Sequence, residues 1–139
     1  MVVETCTLDL EAEAHRGIVN ITRKIQEFVS ESGMKSGIAV IFNIGSTGAI
    51  TTMEYEPGLM KDIPRVLERM APGEDRYEHH LTWGDDNGSA HVKAAMLGPS
   101  LTVPFTGGKL SLGTWQQIVV INFDTRARRR RVVVQIMGE

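Results

Sequence analysis

Two hydrophobic rhythms run along the chain. From Met1 to Leu10, Val2, Cys6, Leu8 and Leu10 fall at even spacing among polar neighbours, the two-residue period of a half-buried strand. From Glu11 to Glu31 the period changes. Ile18, Ile21, Ile25, Phe28 and Val29 recur in three- and four-residue steps, which predicts one helix with a single apolar stripe, stopped at Gly33. Gly37 to Asn43 is a dense apolar run of strand type, and Ala49 to Tyr55 is a second strand after the small-residue loop Gly45-Ser46-Thr47-Gly48.

After the break at Pro57-Gly58, a short helix fits Asp62 to Met70. Asp62 is its N-cap, Pro64 stands in its first turn, and Ile63, Val66, Leu67 and Met70 face inward. Glu74 to Ser89 is polar and reads as a long loop, a type of segment that often carries function. His91 to Leu97, Leu101 to Phe105, Trp115 to Phe123 and Arg131 to Met137 read as four more strands. The short connections between them favour antiparallel pairing, because parallel strands need long crossovers. The expectation is one α+β domain over residues 1–139, a mostly antiparallel sheet with helices packed on one face.

Composition narrows the function. Fifteen basic against 17 acidic residues give a formal charge of −2, unlike the basic balance of a dedicated nucleic-acid binder. The single cysteine, Cys6, cannot form an internal disulfide and sits on an apolar strand face, where a buried, inert thiol is expected. No opening signal-peptide pattern is visible, and no apolar run approaches the roughly 18 residues of a membrane span, so a cytoplasmic location is expected.

Candidate chemistry concentrates in Tyr77-Glu78-His79-His80 and Asp85-Asp86-Asn87-Gly88-Ser89-Ala90-His91, which hold three of the four histidines. Two readings stand. Neutral imidazoles can gather a Zn, Ni, Cu or Fe(II) ion, or the histidines are simply exposed on the loop, since their spacing matches no fixed metal signature such as HExxH. The Asp85 to Gly88 run lacks the alternating acids and closing Glu of an EF-hand, and reads as a turn. The Gly45 to Gly48 loop can form an anion-binding nest through Ser46, Thr47 and free backbone N–H groups, or be a plain strand connection; it is not a P-loop. Glu54, on the following strand, suits a general base, a metal ligand or a solvent-facing position. Arg126 and Arg128 to Arg131 form a dense basic run, but in a strand alternate arginines point to opposite faces, which argues against nucleic acid. Trp115 is expected in the core or at an interface.

The segments Gly98 to Pro104 (GPSLTVP) and Gly108 to Ile118 (GKLSLGTWQQI), with Asp86 to His91 (DNGSAH) before them, resemble the signature of the YjbQ-like family, also called the secondary thiamine-phosphate synthase family. Tyr77-Glu78-His79, the Ser46-Thr47-Gly48-Ala49 loop with Glu54, the arginine-rich segment and Val132 to Met137 fall in the matching order, so the resemblance covers essentially the whole chain. The resemblance implies a compact α+β fold, a homotrimer with its pocket near subunit boundaries, and, in some members, weak thiamine-phosphate synthase activity. That reaction joins a hydroxymethylpyrimidine diphosphate to a thiazole phosphate. For most members the substrate is unknown.

By the same resemblance, His79 and His91 hold a divalent metal, Zn or Mg, or act as an acid/base pair. Glu54 is an acid/base or outer-shell residue, and Asn87 orients the His91 segment. Ser46, Thr47 and Arg128 hold the phosphate of a small phosphorylated metabolite. The chain departs from the family where a His usually opens the His-Thr-Thr-Ala loop: that position is Gly45. A three-His site loses one ligand, which favours the alternative of a non-catalytic trimeric protein that binds a small anion or metal. The Asp-Gly-Pro-Arg turn also differs, reading Asp124-Thr125-Arg126-Ala127.

Overall fold

The computed structural model describes residues 1–15 and 17–139. In chain order the elements are β1 (Val2–Ala12), β2 (Gly17–Asn20), α1 (Thr22–Ser32), β3 (Ser36–Ile44), β4 (Gly48–Glu54), α2 (Leu59–Met70), α3 (Glu78–Trp83), α4 (Gly88–Leu97), β5 (Ser100–Thr106), β6 (Lys109–Leu110), β7 (Gln116–Asn122) and β8 (Arg128–Gly138). The strands form a five-stranded sheet, β1-β8-β3-β5-β6, and a three-stranded sheet, β2-β7-β4, with antiparallel pairing throughout.

β7 is the wall between two cores. Its residues Ile118 and Val120 face Ile41, Phe105, Val132 and Val134 of the larger sheet and the Ile25–Val29 stripe of α1. The alternate residues, Val119 and Ile121, pack with Leu67 of α2 and with Ala90 and Ala94 of α4. Alternation along one strand thus feeds both layers, and five consecutive residues, Ile118 to Asn122, are buried. α2 and α4 pack on one face of the three-stranded sheet, and the two sheets share one domain through β7.

Four sequence expectations are corrected. The helix over Glu11 to Glu31, which includes position 16 outside the described residues, is instead the end of β1, then β2, then α1 from Thr22. Ile21, Ile25 and Val29 do form the buried stripe, and Gly33 ends the helix at φ 73°. Ile18, however, belongs to a strand that happens to lie in helical register with it. The missed signal is Gly17, whose added Cβ would stand 2.5 Å from the Glu13 carbonyl oxygen, so the chain doubles back tightly there. The strand over His91 to Leu97 is α4, because Ala90, Ala94 and Leu97 repeat at helical steps over a run too short for periodicity to decide. The loop from Glu74 to Ser89 contains α3. The second helix starts at Leu59 rather than Asp62, which stands in its first turn.

β8 starts at Arg128, so the arginine run is inside a strand, and its alternation holds. Arg130 is buried, whereas Arg129 and Arg131 are exposed and lie toward Asp9, at 3.9 and 3.2 Å. Trp115 is 72% exposed and is no part of the core. Cys6 is half-buried; burial pushes its thiol up, and Glu31 adds to the effect.

Candidate functional site: a histidine pair beside a buried arginine–aspartate network

One end of the molecule collects the C-terminus of β3, the 45–47 loop, the end of β7, the start of β8 and the N-terminal end of α4. Gly48 pairs with Asn122 and Ile44 with Arg131, which fixes the register that brings these segments together.

His79 on α3 and His91 on α4 meet with ring centroids 4.5 Å apart. His79 Nε2 lies 3.0 Å from Asp85 Oδ1 and 3.3 Å from Oδ2. The Asp85 carboxyl is held below its ordinary value first by the Asn87 N–H and then by His79. The third loop histidine, His80, turns away: its ring sits edge-on to Tyr77, and its Nε2 is buried with no partner among the described residues.

Asp124 organises the neighbouring network. Its Oδ2 accepts hydrogen bonds from Thr47 Oγ1 at 3.0 Å, Asn87 Nδ2 at 3.1 Å and Arg128 Nε at 3.0 Å, and its Oδ1 accepts from the Arg126 N–H at 3.0 Å. Burial pushes the carboxyl up. The bonds from Asn87, Arg126, Thr47 and Arg128 outweigh that and hold it at about 2. Arg130 donates from Nη2 to Thr47 Oγ1 at 2.7 Å and to Asn122 Oδ1. Burial pushes its guanidinium below the ordinary arginine value; Asp124 pulls it up and Arg128 pushes it down.

Asn87 and Arg128, both expected at the site, therefore meet on one carboxylate. The Thr47 hydroxyl is used within the protein in both directions, leaving its backbone N–H for any ligand, and Ser46 is exposed on the loop. Glu54 stands apart. It pairs with Gln116 at the far end of β4, six residues or roughly 20 Å along the strand from Gly48. Sequence reasoning missed Asp124, Arg130 and Asn43 as site residues. The available signal was a polar residue at a core-facing position of an apolar strand, as in Ala39-x-Ile41-x-Asn43.

A second cleft, about 510 Å³, opens between α2 and α4 and is lined by His15, Glu68, Asp86, Lys93 and Phe123 among others; neither His79 nor His91 lines it.

Among the described residues, no three His, Cys, Asp or Glu side chains gather as a metal-ligand set. His79 and His91 are two imidazoles, Asp85 is spent as a partner to His79, and Gly45 offers no side chain. A catalytic zinc takes three protein ligands, so the residues present do not fit one.

The family model described as "UPF0047 protein YjbQ-like" matches residues 6–139. A UPF0047 protein of Methanothermobacter thermautotrophicus is 35% identical over 139 residues, covering 100% of this chain and 95% of its own. The UPF0047 protein YugU of Bacillus subtilis is 33% identical, covering 95% of this chain and 98% of its own. Among solved structures, a YbjQ-like protein of unknown function from Sulfolobus solfataricus superimposes with a TM-score of 0.88 at 35% identity, over 99% of this chain and 100% of that one. A hypothetical protein from Aeropyrum pernix does so with a TM-score of 0.91 at 32% identity, over 98% and 99%.

Proposed function

The chain belongs to the UPF0047 protein YjbQ-like family, and on that footing we propose that it binds a small phosphorylated metabolite beside the His79–His91 pair and moves protons on it. The observation that carries this reading is the contact of the two imidazoles at 4.5 Å, with Asp85 set 3.0 Å from His79 Nε2. Imidazole is the side chain best suited to give and take protons near neutral pH, and a carboxylate hydrogen-bonded to one ring nitrogen fixes its orientation and tautomer. His79 and His91 are then the proton carriers and Asp85 a positioning residue. Asn87, tied to both Asp124 and the Asp85 turn, holds the start of α4 and so the place of His91. The Ser46 and Thr47 backbone and Arg128 belong to the anion end.

The first reaction to assay is thiamine-phosphate synthesis, in which diphosphate leaves the pyrimidine. A diphosphate leaving group needs cationic stabilisation. In this chain that role falls to Arg128 and Arg130, since the sequence has no Asp-rich magnesium motif. His91→Ala is expected to lower turnover by about 100-fold or more, the usual scale of a lost acid or base. An unchanged rate removes His91 from the mechanism. Gly45 favours the second reading, a non-catalytic anion-binding protein; ligand that raises the melting temperature without turnover supports it.

Self-association belongs to the same proposal. Val3, Met137 and Ile38 lie side by side across β1, β8 and β3, with Phe42 and Ile44 further along β3, all exposed on the outer face of the larger sheet. Such an apolar stretch suits contact with further copies of the chain. Sedimentation as a trimer that becomes a monomer in Phe42→Glu would support it; a wild-type monomer would end it. No described helix is long and apolar enough to cross a membrane, and the cytoplasmic location remains part of this proposal.

A further inference from the structure

We propose that Arg130 and Asn43, beneath the loop at 45–47, seat a phosphoryl oxyanion. The inference rests on the reading above and names the group by which the ligand is held. Asn43 is fully buried, yet neither its Nδ2 nor its Oδ1 has a partner among the described residues. Arg130 is 5% exposed, and its Nε is likewise buried and unpartnered, while Nη2 is taken by Thr47 and Asn122. Buried polar groups are nearly always paired, and three unpaired atoms on two adjacent side chains mark a place made for something else.

Charge points the same way. Asp124 is ion-paired with the half-exposed Arg128, and among the described residues the buried Arg130 has no carboxylate partner of its own. The loop above supplies further donors: among the described residues, the N–H groups of Gly45, Ser46 and Thr47 donate to no protein acceptor. The loop also lies directly on the guanidinium. A Cβ on Gly45 would stand 3.0 Å from Arg130 Nη1 and 3.8 Å from Asn43 Nδ2, and one on Gly48 would stand 3.0 Å from Arg130 Nε and 3.1 Å from Asn43 Nδ2. Gly45 and Ser46 are exposed, so only a glycine-hinged loop separates these donors from solvent. A planar guanidinium edge, an amide NH₂ and backbone N–H groups suit a tetrahedral oxyanion. The remaining acceptor, Asn43 Oδ1, suits the P–OH of a monoprotonated phosphoryl group and has no counterpart in a carboxylate.

The test is the melting temperature of the full chain titrated with inorganic phosphate, against sodium acetate and sodium chloride at matched ionic strength. Phosphate is expected to raise it well above either control in the wild type and in the His79→Ala, His91→Ala double variant. Arg130→Lys, which keeps the charge but loses the planar fork, is expected to weaken phosphate at least tenfold. Asn43→Leu, which fills the same volume without polar atoms and should fold, is expected to do likewise. No response of the wild type, acetate binding as tightly as phosphate, or unaltered phosphate affinity in both variants overturns the proposal. Turnover that survives in the histidine variants sinks the proton-transfer reading alone and leaves the phosphate seat standing.

Discussion

Asn87 Nδ2 donates to Asp124 Oδ2 at 3.1 Å, while Asn87 Oδ1 accepts the Thr125 N–H at 3.2 Å, so a residue at the N-cap position of α4 spends its side chain on the end of β7. It makes no capping bond to its own helix. The carboxylate it serves is in turn bonded by Thr47, Arg126 and Arg128, and that arrangement has a measurable acid signature.

Asp124 is held at about 2, below its ordinary 3.8. Its folded-state value is depressed, so its contribution to stability is present above the unfolded value and is lost as pH falls through the folded one. The difference is worth about 2 kcal/mol. Unfolding followed by denaturant from pH 6 to pH 2 should show this loss between about pH 5 and 2. Asp124→Asn should flatten that part of the curve; a profile as steep as wild type would assign the acid sensitivity elsewhere.

Asp85→Asn keeps the shape of the side chain beside His79 but removes its charge. Turnover is expected to fall by about tenfold, less than for His91→Ala, because the carboxylate that orients the ring is gone. Turnover equal to wild type would show that Asp85 has no part in setting the imidazole.

Placing a histidine at position 45 should cost stability rather than complete a site. Gly45 has φ 135°, where side-chain-bearing residues are strained, and its Cβ would meet Arg130 Nη1 at 3.0 Å. Gly45→His and Gly45→Ala are both expected to lose about 1–3 kcal/mol. Thermal unfolding of either at the wild-type temperature would show that the loop gives way freely.

Asn43→Leu should stabilise the ligand-free protein, because a fully buried amide with no partner is exchanged for an apolar chain of similar volume. The expected gain is about 1–3 kcal/mol, read from chemical denaturation. A loss of stability of that size would mean the amide is satisfied in solution.

The legible part of the fold was what has a long period or a strong break. β3 follows from a dense apolar run, β4 and β5 from short strand-type segments set off by glycine turns, and the lower half of α1 from a stripe ending at Gly33. β2 was hidden because Ile18 falls in helical step with Ile21, although it points to the other core. α4 was hidden because Asp85 to Gly88 signals a turn equally well before a strand or a helix. At the site, the proximity of His79 and His91 was foreshadowed by their closeness in sequence. The Asp124 network was not, because it joins residues 77 positions apart in the case of Thr47. Glu54 looked like a neighbour of the loop in sequence, yet an extended strand carries it the length of the sheet away.

The position of β7 also bears on how the molecule opens. Because Ile118 and Val120 belong to one core and Val119 and Ile121 to the other, neither layer can come apart while keeping the strand's backbone bonds and half its side chains in place. Local opening of the 45–47 loop costs little of this, but releasing the β7 amides requires both cores to dissolve together. Hydrogen exchange at Val119 and Val120 should therefore proceed only through global unfolding and report the full free energy of the chain, whereas the amides at Ser46 and Thr47 exchange quickly. The candidate binding loop thus leads into β4, the neighbour of a strand expected to exchange only on global unfolding.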